Sequence, residues 1–388
     1  MSKPKVSILA ANCLIHSVPR PRLLSRLLAP QFDVDLIAPV FPGDDDVYAR
    51  EEWPGRYIPV PVRKLPGFVR STGDLLDACT GDVIYALKSK PTSLGVGLIG
   101  RRQRGVPVVV DLDDREIYHC YPYSYHASKN FVLSYREWAH PNAYPLTYLT
   151  DRLIGHADHV TSVSTHFRRL FGGTIVPQAV DTDVFDPSLY NGQALRRQWG
   201  LDQFRVVLFL GRPLPHKGLD EILAAVELSR HPNVRLVVVG GDTPYMEMIR
   251  TRPRVIFLGR RPFEEAPAFL AMADVVMFPQ RPGPISVGQM PTKIPEAMAM
   301  GVPVISTAIS DIPEQVGDGG VVVPPGDIPA LAQALDRLVE DDELRRAMGA
   351  AARRRAIAHD SMTAVGPRIR RAFEGVLEGL ALTDRVPA

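Results

Sequence analysis

Short apolar runs recur along this chain, and each is followed by a segment with helical periodicity. Twelve runs share this character: VSILA (6–10), VDLIAP (34–39), VIYAL (83–87), VPVVVDL (106–112), HVTSVS (159–164), TIVPQ (174–178), RVVLFLG (205–211), VRLVVVG (234–240), RVIFLG (254–259), DVVMFP (274–279), VPVISTA (302–308) and GVVVPP (320–325). Since apolar and polar residues do not alternate within them, they predict strands buried on both faces of parallel sheets. Patterns such as LDEILAAVELSR (219–230) predict the covering helices, so the fold class is α/β.

Twelve strands are too many for one plain sheet in a chain of 388 residues. The polar, turn-rich segment DTDVFDPSLYNG (181–192) offers a natural boundary. We therefore predict two doubly wound, Rossmann-like domains, at residues 1–190 and 191–364. An aromatic insertion at residues 115–150 interrupts the first domain. A helical pattern dominates the C-terminal segment 365–388, and because no strand follows it, its helix must pack on a domain that is already formed.

The charge and cysteine content exclude several classes of protein. A net charge of +2, from 45 basic and 43 acidic residues, argues against a protein that coats nucleic acid. Three scattered cysteines are too few for a disulfide framework or a thiolate zinc site. No apolar run reaches about 18 residues, and the first residues make a poor signal peptide, so we expect a cytoplasmic protein. The basic segment 19–30 is either a peripheral contact with the inner face of the membrane or a helix packed on a sheet.

Lysine is rare in this chain, at 8 of the 45 basic residues, so a lysine in a special place is informative. The loop after RVVLFLG carries Arg212 and Lys217 and then enters a helix. Such a loop presents backbone N–H groups and the positive end of the helix dipole to an anion. The two cations either complete a site for a diphosphate or are solvated surface charges.

A second loop of this kind, GPISVGQMPTKIPEAMAMG (283–301), leads into a short helix that Gly301 is expected to end. Lys293 and Glu296 lie three residues apart and therefore share one helical face. Glu296 either pairs with Lys293 or accepts hydrogen bonds from a ribose diol. The backbone amides of residues 290–293 add further donors at the helix start.

Polar and aromatic residues in the first half form two further candidate groups. Asp111 lies near the end of the run VPVVVDL (106–112), and Asp113 and Asp114 follow that run directly. These residues either cap a helix, contact a substrate hydroxyl or hold a metal. Seven of the 12 tyrosines lie between Tyr118 and Tyr148, as core of the insertion or as a platform for an acceptor.

His16 and Arg20 follow the first strand. They are either charges at a helix start or groups that reach an anionic ligand.

The second half resembles the nucleotide-binding domain of the retaining glycosyltransferases of family 4, which have the GT-B fold. The matching stretches, in the family's order and spacing, are VPQAVDTDVFDP (176–187), VVLFLGRPLPHKGLDEIL (206–223), ADVVMFP (273–279), PTKIPEAMAMGVPVIST (291–307) and VVVPPGD (321–327). The first half matches more weakly, through VPRPRLLSRLL (18–28), VVVDLDDRE (108–116) and ADHVTSVSTHFRRL (157–170). The resemblance implies two parallel sheets that face across a cleft, with the acceptor on the N-terminal side, the nucleotide-sugar on the C-terminal side, and a last helix that crosses back to the first domain.

The resemblance also implies roles for the matching residues. Arg212 and Lys217 would neutralise the donor diphosphate and stabilise the leaving nucleotide, and with Asp113 they are the catalytic candidates. The donor-binding set would be Gly211, His216, Gly288, Gln289, Met290, Pro291, Thr292, Lys293 and Glu296, the last on the ribose hydroxyls. The acceptor-side set would be His16, Arg20, Tyr118 and Tyr121, and no residue would bind a metal.

This chain departs from the family pattern at two positions. The family usually has a Glu eight residues before Glu296, where this chain has Gly288, so it is a variant that lacks the first Glu of the E-x7-E motif. Many relatives have D-x-H-[DE] after the fifth strand, and VDLDDRE places Asp113 at that His. We therefore expect Asp113 to bind a donor hydroxyl or to orient the acceptor.

These observations favour a hexosyltransferase of carbohydrate or natural-product biosynthesis. It would move a sugar from a nucleotide diphosphate-sugar to an acceptor hydroxyl, with retention of configuration and without a metal or other cofactor. The acceptor would be a small molecule, a glycan or a lipid, and no nucleic acid would bind. The sequence leaves open whether the protein forms a homodimer. The alternatives are a GT-B-like nucleotide-sugar epimerase or hydrolase, which would consume the donor alone, and a catalytically silent partner subunit, which would bind no donor. The sequence argues against an NAD-dependent dehydrogenase, because neither half has G-x-G-x-x-G after its first strand.

Overall fold

The computed structural model describes residues 3–14, 17–120 and 139–379 of the chain. The chain forms two compact units. Unit 1 comprises Met1–Pro177 with Val365–Ala388, and unit 2 comprises Gln178–Ala364.

Unit 1 is built on a parallel sheet. Its strands are β1 (Lys5–Leu9), β2 (Asp33–Val40), β3 (Tyr57–Pro61), β4 (Val83–Leu87), β5 (Val108–Leu112), β6 (His159–Ser162) and β7 (Thr174–Ile175). They pair in the order β3-β2-β1-β4-β5-β6-β7, and every pair is parallel. All residues of β4 and β5 are buried, which explains why these runs do not alternate. The helices before the last one are α1 (Pro19–Leu28), α2 (Phe68–Ala78), α3 (Val96–Arg104), α4 (Tyr144–Arg152) and α5 (Thr165–Phe171).

Unit 2 repeats this architecture. Its strands are β8 (Arg205–Leu210), β9 (Val234–Val239), β10 (Val255–Gly259), β11 (Val275–Phe278), β12 (Val304–Thr307) and β13 (Gly320–Val323), in the order β10-β9-β8-β11-β12-β13. All of these pairs are parallel. The helices are α6 (Gly192–Gln198), α7 (Leu219–Leu228), α8 (Pro244–Glu247), α9 (Ala266–Ala271), α10 (Lys293–Ala299), α11 (Ile312–Val316), α12 (Ile328–Glu340) and α13 (Asp342–Arg355).

The last helix, α14 (Met362–Leu377), contributes its residues from Val365 onwards to unit 1. The buried ring of Phe373 has its centroid 4.9 Å from the centroid of the Tyr85 ring in β4 and 5.9 Å from that of Phe32, both edge to face. The C-terminal segment therefore covers part of the sheet of unit 1.

The α/β prediction is confirmed, and each of the twelve apolar runs overlaps one strand. The sequence patterns miss β3, whose sequence YIPVP contains two prolines. Proline has no N–H to donate and is found mainly in edge strands. In this sheet β3 lies at the edge and pairs with β2 on one side only.

The strand order reverses at one place in each sheet. This place lies between β1 and β4 in unit 1 and between β8 and β11 in unit 2. Ligands of open α/β sheets bind beyond the carboxyl ends of the strands at such points. The loops that follow these four strands are therefore where functional side chains are expected.

Candidate functional site

The loop after β8 carries two of the predicted cations. A Cβ added to Gly211 would lie 4.0 Å from Lys217 Nζ, so the ammonium of Lys217 lies close to the end of β8. Arg212 is exposed and Lys217 is half-buried. Gly218, which precedes α7, has φ +66°, and a Cβ there would lie 2.1 Å from the carbonyl oxygen of Pro279. Only glycine fits this turn, because it takes a positive φ without strain and lets the two backbones approach.

The loops after β8 and β11 are bound directly to each other. The backbone N–H of Arg281 donates to the carbonyl oxygen of His216 at 2.9 Å. The guanidinium of Arg281 reaches the first turn of α7, where Nε donates to Glu221 Oε1 at 2.8 Å and Nη2 contacts Asp220. The structure thus joins the two loops in which the sequence places the donor site.

Lys293 and Glu296 form an ion pair in α10, with Lys293 Nζ 2.7 Å from Glu296 Oε2. The same ammonium lies 5.0 Å from the centroid of the Phe263 ring. Burial raises the pKa of Glu296 above its ordinary value, although Lys293 acts in the opposite direction. A buried carboxylate with a raised pKa is costly to keep ionised, which is typical of a residue retained for binding.

The remaining donor-binding candidates lie just before α10. Gly288, Met290 and Pro291 are buried, and Gln289 and Thr292 are half-buried. Gln280, which the sequence analysis does not single out, is fully buried after β11 and donates from Nε2 to Gln289 Oε1 at 3.2 Å. Among the residues the structure describes, Gln280 Oε1 has no hydrogen-bond partner. The signal in the sequence is a polar side chain that directly continues the apolar run DVVMFP.

A cavity of about 790 Å³ in unit 2 lies away from these loops. Its charged lining includes Arg205 at the amino end of β8 and Asp274 just before β11, whereas the candidate site lies at the carboxyl ends of the same strands. Arg196 Nη2 donates to Asp274 Oδ2 at 2.8 Å, so these two charged side chains of the cavity lining already neutralise each other. We assign this cavity no role in ligand binding because it lies at the wrong edge of the sheet.

Arg20, an acceptor-side candidate, is held in the interior of unit 1. Its guanidinium is buried and donates to both oxygens of Asp111, each at 2.9 Å. Asp111 also accepts from Thr161 Oγ1 at 2.7 Å and from the Tyr85 hydroxyl at 3.1 Å. Further bonds join Arg20 to the carbonyl oxygens of residues 176 and 177. Because these partners lie 91 or more residues away in the sequence, local patterns do not reveal them.

Asp113 belongs to a cluster of carboxylates gathered around Lys88. Lys88 Nζ lies 2.6 Å from Glu116 Oε1, 3.3 Å from Asp113 Oδ1 and 3.6 Å from Asp114 Oδ2. Lys90 Nζ lies 3.0 Å from the other oxygen of Glu116. Although Asp113 Oδ1 is buried, it makes no hydrogen bond within the described part of the chain. The Asp113 side chain as a whole is 13% exposed, so part of the carboxylate still reaches the surface.

The charges of this cluster shift its pKa values in different directions. Burial raises the pKa of Asp113 to about 6, against the pull of the Lys88 ammonium. Burial acts the same way on Glu116, but Lys88 and Lys90 outweigh it and hold the pKa of Glu116 well below its usual value. Burial alone would lower the pKa of Lys88, yet the surrounding carboxylates hold it well above the usual range. Lys88 therefore stays protonated at neutral pH.

The cluster also has the spacing of a metal site. Asp113, Asp114 and Glu116 each offer one carboxylate oxygen, and these oxygens lie within 4.8 Å of one another. The ammonium of Lys88, however, lies within 3.6 Å of an oxygen of each of them. A cation that belongs to the protein thus neutralises these carboxylates.

The sequence analysis misses Lys88 and Lys90. The signal was available, because two of only eight lysines follow the run VIYAL directly, in KSK. Of the acceptor-side candidates, Tyr118 is exposed. His16 and Tyr121 lie outside the described residues, so those two assignments stay predictions.

A second cavity, of about 660 Å³, lies in unit 1 beyond the carboxyl ends of β2 and β3. Its walls are largely apolar and include Phe41, Val60 and Val62, and two arginines, Arg63 and Arg70, also line it. Such a lining suits a molecule with an apolar part and an anionic part.

No helix among the described residues has both the length and the apolar character needed to cross a membrane.

Solved structures of glycosyltransferases share this fold. Sucrose-phosphate synthase from Thermosynechococcus elongatus superposes with a TM-score of 0.74 at 21% identity, over 97% of this chain and 100% of that chain. HepE from Anabaena, in complex with UDP-glucose, superposes with a TM-score of 0.74 at 20% identity, over 96% and 100% of the two chains. These likenesses, with the two parallel-sheet units, define the GT-B fold.

Family models identify both halves of the chain. The model described as "Glycosyl transferase 4-like domain" matches residues 19–187, and the model described as "Glycosyl transferases group 1" matches residues 204–341. The chain therefore belongs to the family 4 glycosyltransferases, as its sequence motifs predict.

Curated relatives match part of the chain. The GDP-mannose-dependent alpha-(1-6)-phosphatidylinositol monomannoside mannosyltransferase of Mycolicibacterium smegmatis is 34% identical over 253 residues, which are 60% of this chain and 66% of that protein. The alpha-D-kanosaminyltransferase of Streptomyces kanamyceticus is 30% identical over 185 residues, 45% of this chain and 47% of that protein. The matches thus span about half to two thirds of these relatives' length.

Proposed function

We propose that this protein transfers a sugar from a nucleotide diphosphate-sugar to an acceptor hydroxyl. The observation that carries the proposal is the connected pair of loops after β8 and β11, at the place where the strand order of unit 2 reverses. These loops, together with α10 that follows the second of them, hold Lys217, Arg212 and Glu296 near one edge of one sheet. Two cations and a carboxylate so placed match the two parts of a nucleotide-sugar, the diphosphate and the ribose diol.

The two cations support a reaction that needs no metal. Arg212 and Lys217 would stabilise the negative charge that develops on the leaving diphosphate, which is the main electrostatic demand of the transfer. We expect retention of configuration, as the family resemblance implies. Because Gly288 stands where the usual motif has its first Glu, the side-chain amides of the buried Gln280 and the half-buried Gln289 are nearby polar groups that would serve the sugar hydroxyls.

GDP-mannose is the first donor to test. The mycolicibacterial relative is named as GDP-mannose-dependent and acts on a phosphatidylinositol monomannoside. Unit 1 offers two features for such an amphiphilic acceptor: the apolar cavity with Arg63 and Arg70, and the partly exposed carboxylate of Asp113. A lipid acceptor would bring the protein into peripheral contact with a membrane.

Calorimetry with GDP-mannose, followed by transfer to phosphatidylinositol monomannoside, tests the proposal. Losing one charge-assisted hydrogen bond costs about 1.5–3 kcal/mol, so we expect Lys217→Ala and Glu296→Ala to weaken donor binding by roughly 10- to 150-fold. Arg197→Ala is the matched control, because Arg197 is exposed and lies on α6, away from both loops. Wild-type binding by both site variants would refute the site.

Three further readouts separate the alternatives. Consumption of GDP-mannose without an acceptor would indicate a hydrolase or an epimerase. No binding of any UDP-, GDP-, dTDP- or ADP-sugar would indicate a silent subunit. Full activity in a metal chelator and an unchanged anomeric configuration, read by NMR, are the results expected for a metal-free, retaining transferase.

A further inference from the structure

We propose that the ammonium of Lys88 serves unit 1 in place of a divalent cation, and that it positions Asp113 for a substrate hydroxyl. This inference rests on the proposed function, because it takes Asp113 to contact substrate. Lys88 is a positioning residue, since it acts through Asp113.

The distances in the cluster are those of a central cation with three anionic neighbours. An oxygen of each of Asp113, Asp114 and Glu116 lies within 3.6 Å of Lys88 Nζ. Only 17% of the Lys88 side chain is exposed, so solvent screens these charges weakly. Without the ammonium, three carboxylates would share a buried site. Repulsion between negative charges at such short distances opposes the ionisation of all three at the same time.

The backbone of Lys88 is held in an unusual conformation to bring the ammonium there. Its φ is +72°, which residues with a side chain rarely adopt. The conformation is fixed from both sides, since the Lys88 N–H donates to Asp111 O at 2.9 Å and its carbonyl accepts from Ser93 Oγ at 2.8 Å. Strain of this kind persists where the surrounding structure enforces it, and it concentrates at functional sites.

The two lysines of the cluster have different tasks. Lys90 lies against Glu116 and the Cys120 thiol, 3.0 Å and 2.8 Å from them. Among the described residues, the ion pair of Asp113 is with Lys88 alone. That contact attracts Asp113 without consuming its Oδ1 as a hydrogen-bond acceptor, because the 3.3 Å approach has no hydrogen-bond geometry. Lys88 therefore fixes the carboxylate from its buried side and leaves the exposed part for a hydroxyl.

Lys88→Gly is the variant that tests this role. Glycine accepts a φ of +72° without strain, so the substitution removes the ammonium and keeps the turn. The carboxylates are then left without their cation, and we expect them to bind one Mn²⁺ with an affinity on the order of 10⁻⁴ M. Electron paramagnetic resonance would detect Mn²⁺ bound by the variant and none bound at the cluster of the wild type.

Transfer activity gives the second readout. We expect Lys88→Gly to lose about 100-fold in kcat, a typical effect of misplacing a reacting group by about 1 Å, and to regain a large part of it in Mn²⁺. We take the hydroxyl that Asp113 meets to be that of the acceptor, so the affinity of the variant for GDP-mannose should stay that of the wild type, because the groups proposed to bind the nucleotide lie in unit 2. Lys64→Ala is the matched control, since Lys64 is an exposed lysine of the same unit.

Several results would overturn the inference. These are wild-type turnover by metal-free Lys88→Gly, a folded variant that binds no Mn²⁺, or Mn²⁺ binding by the wild-type protein that Asp113→Asn abolishes. If Lys88→Gly does not fold, Lys88→Met replaces it, because methionine keeps the length of the side chain and removes only its charge. A wild-type protein that shows no transfer refutes the proposed function and with it the positioning role, while the Mn²⁺ measurement still decides whether the Lys88 ammonium occupies the place of a divalent cation.

Discussion

Charged side chains are buried in this protein for different reasons, as Arg20 and Glu296 show. Arg20 is paired with Asp111 through two hydrogen bonds in the interior of unit 1. Burial raises the pKa of Glu296, so Lys293 compensates only part of its desolvation. The first pair contributes to the fold, whereas Glu296 is a cost that ligand binding would offset.

Glu296→Gln should make the ligand-free protein more stable at neutral pH. A carboxyl whose folded-state pKa is raised contributes stability below its unfolded pKa, near 4.5, and loses that contribution as the pH rises through the folded pKa. The ionised carboxylate therefore destabilises the fold at pH 7, and the neutral amide removes this effect. Thermal unfolding should show a higher Tm for the variant at pH 7 and a smaller difference at pH 4. A lower Tm at pH 7 would contradict the expectation.

At the scale of elements, the site depends on how the loop after β11 holds the start of α7. Arg281 links them twice, through its backbone to His216 and through its guanidinium to Asp220 and Glu221. Glu221 is buried, and its Oε2 has no hydrogen-bond partner among the described residues. Arg281 is therefore the partner that makes a buried carboxylate acceptable at this position.

Arg281→Ala should destabilise the protein by about 1–3 kcal/mol, because it leaves Glu221 buried with one charge partner fewer. Glu221→Gln in the same chain should recover part of that loss. Urea denaturation of the wild type, both single variants and the double variant gives the coupling energy directly. Additive effects, within about 0.5 kcal/mol, would show that the contact does not hold the helix start.

At the scale of the molecule, two distant segments of the chain build unit 1. Residues from Val365 onwards join it after the whole of unit 2, and Phe373 inserts between Phe32 and Tyr85. The sequence indicates that this C-terminal helix must pack on a formed domain, but not where.

Phe373→Ala should destabilise unit 1 by about 3–5 kcal/mol, since a fully buried aromatic ring is replaced by a cavity. Donor affinity should be unchanged, because the donor groups belong to unit 2. Urea unfolding and calorimetry with GDP-mannose check the two statements. Leu377→Ala, at a half-buried position near the end of the same helix, serves as the control and should cost less. A weaker donor affinity in Phe373→Ala would show that the last helix also supports the site.

The sequence predicts most of the fold because burial on both faces leaves a local mark, as the uninterrupted runs of β4 and β5 show. It misses β3 because edge strands have no such mark and tolerate proline. It also places Arg212 and Lys217 in a loop that follows a strand and Glu296 at the start of a helix, since a turn glycine and a helix start are local signals. The sequence does not reveal the ion-pair partners of Arg20 and Lys88, because the three-dimensional fold determines which charged side chains lie close together.

The amino-acid order alone determined the strand–helix alternation and the positions of the loops after β8 and β11. Those properties follow from the periodicity of neighbouring residues and from backbone rules that act over a few positions. Only the tertiary structure decided that Arg20 belongs to the interior and that Lys88 lies among three carboxylates. Electrostatic partners depend on distance and burial, and β4 and β5 bring Lys88 and Asp113 together across 25 residues of chain.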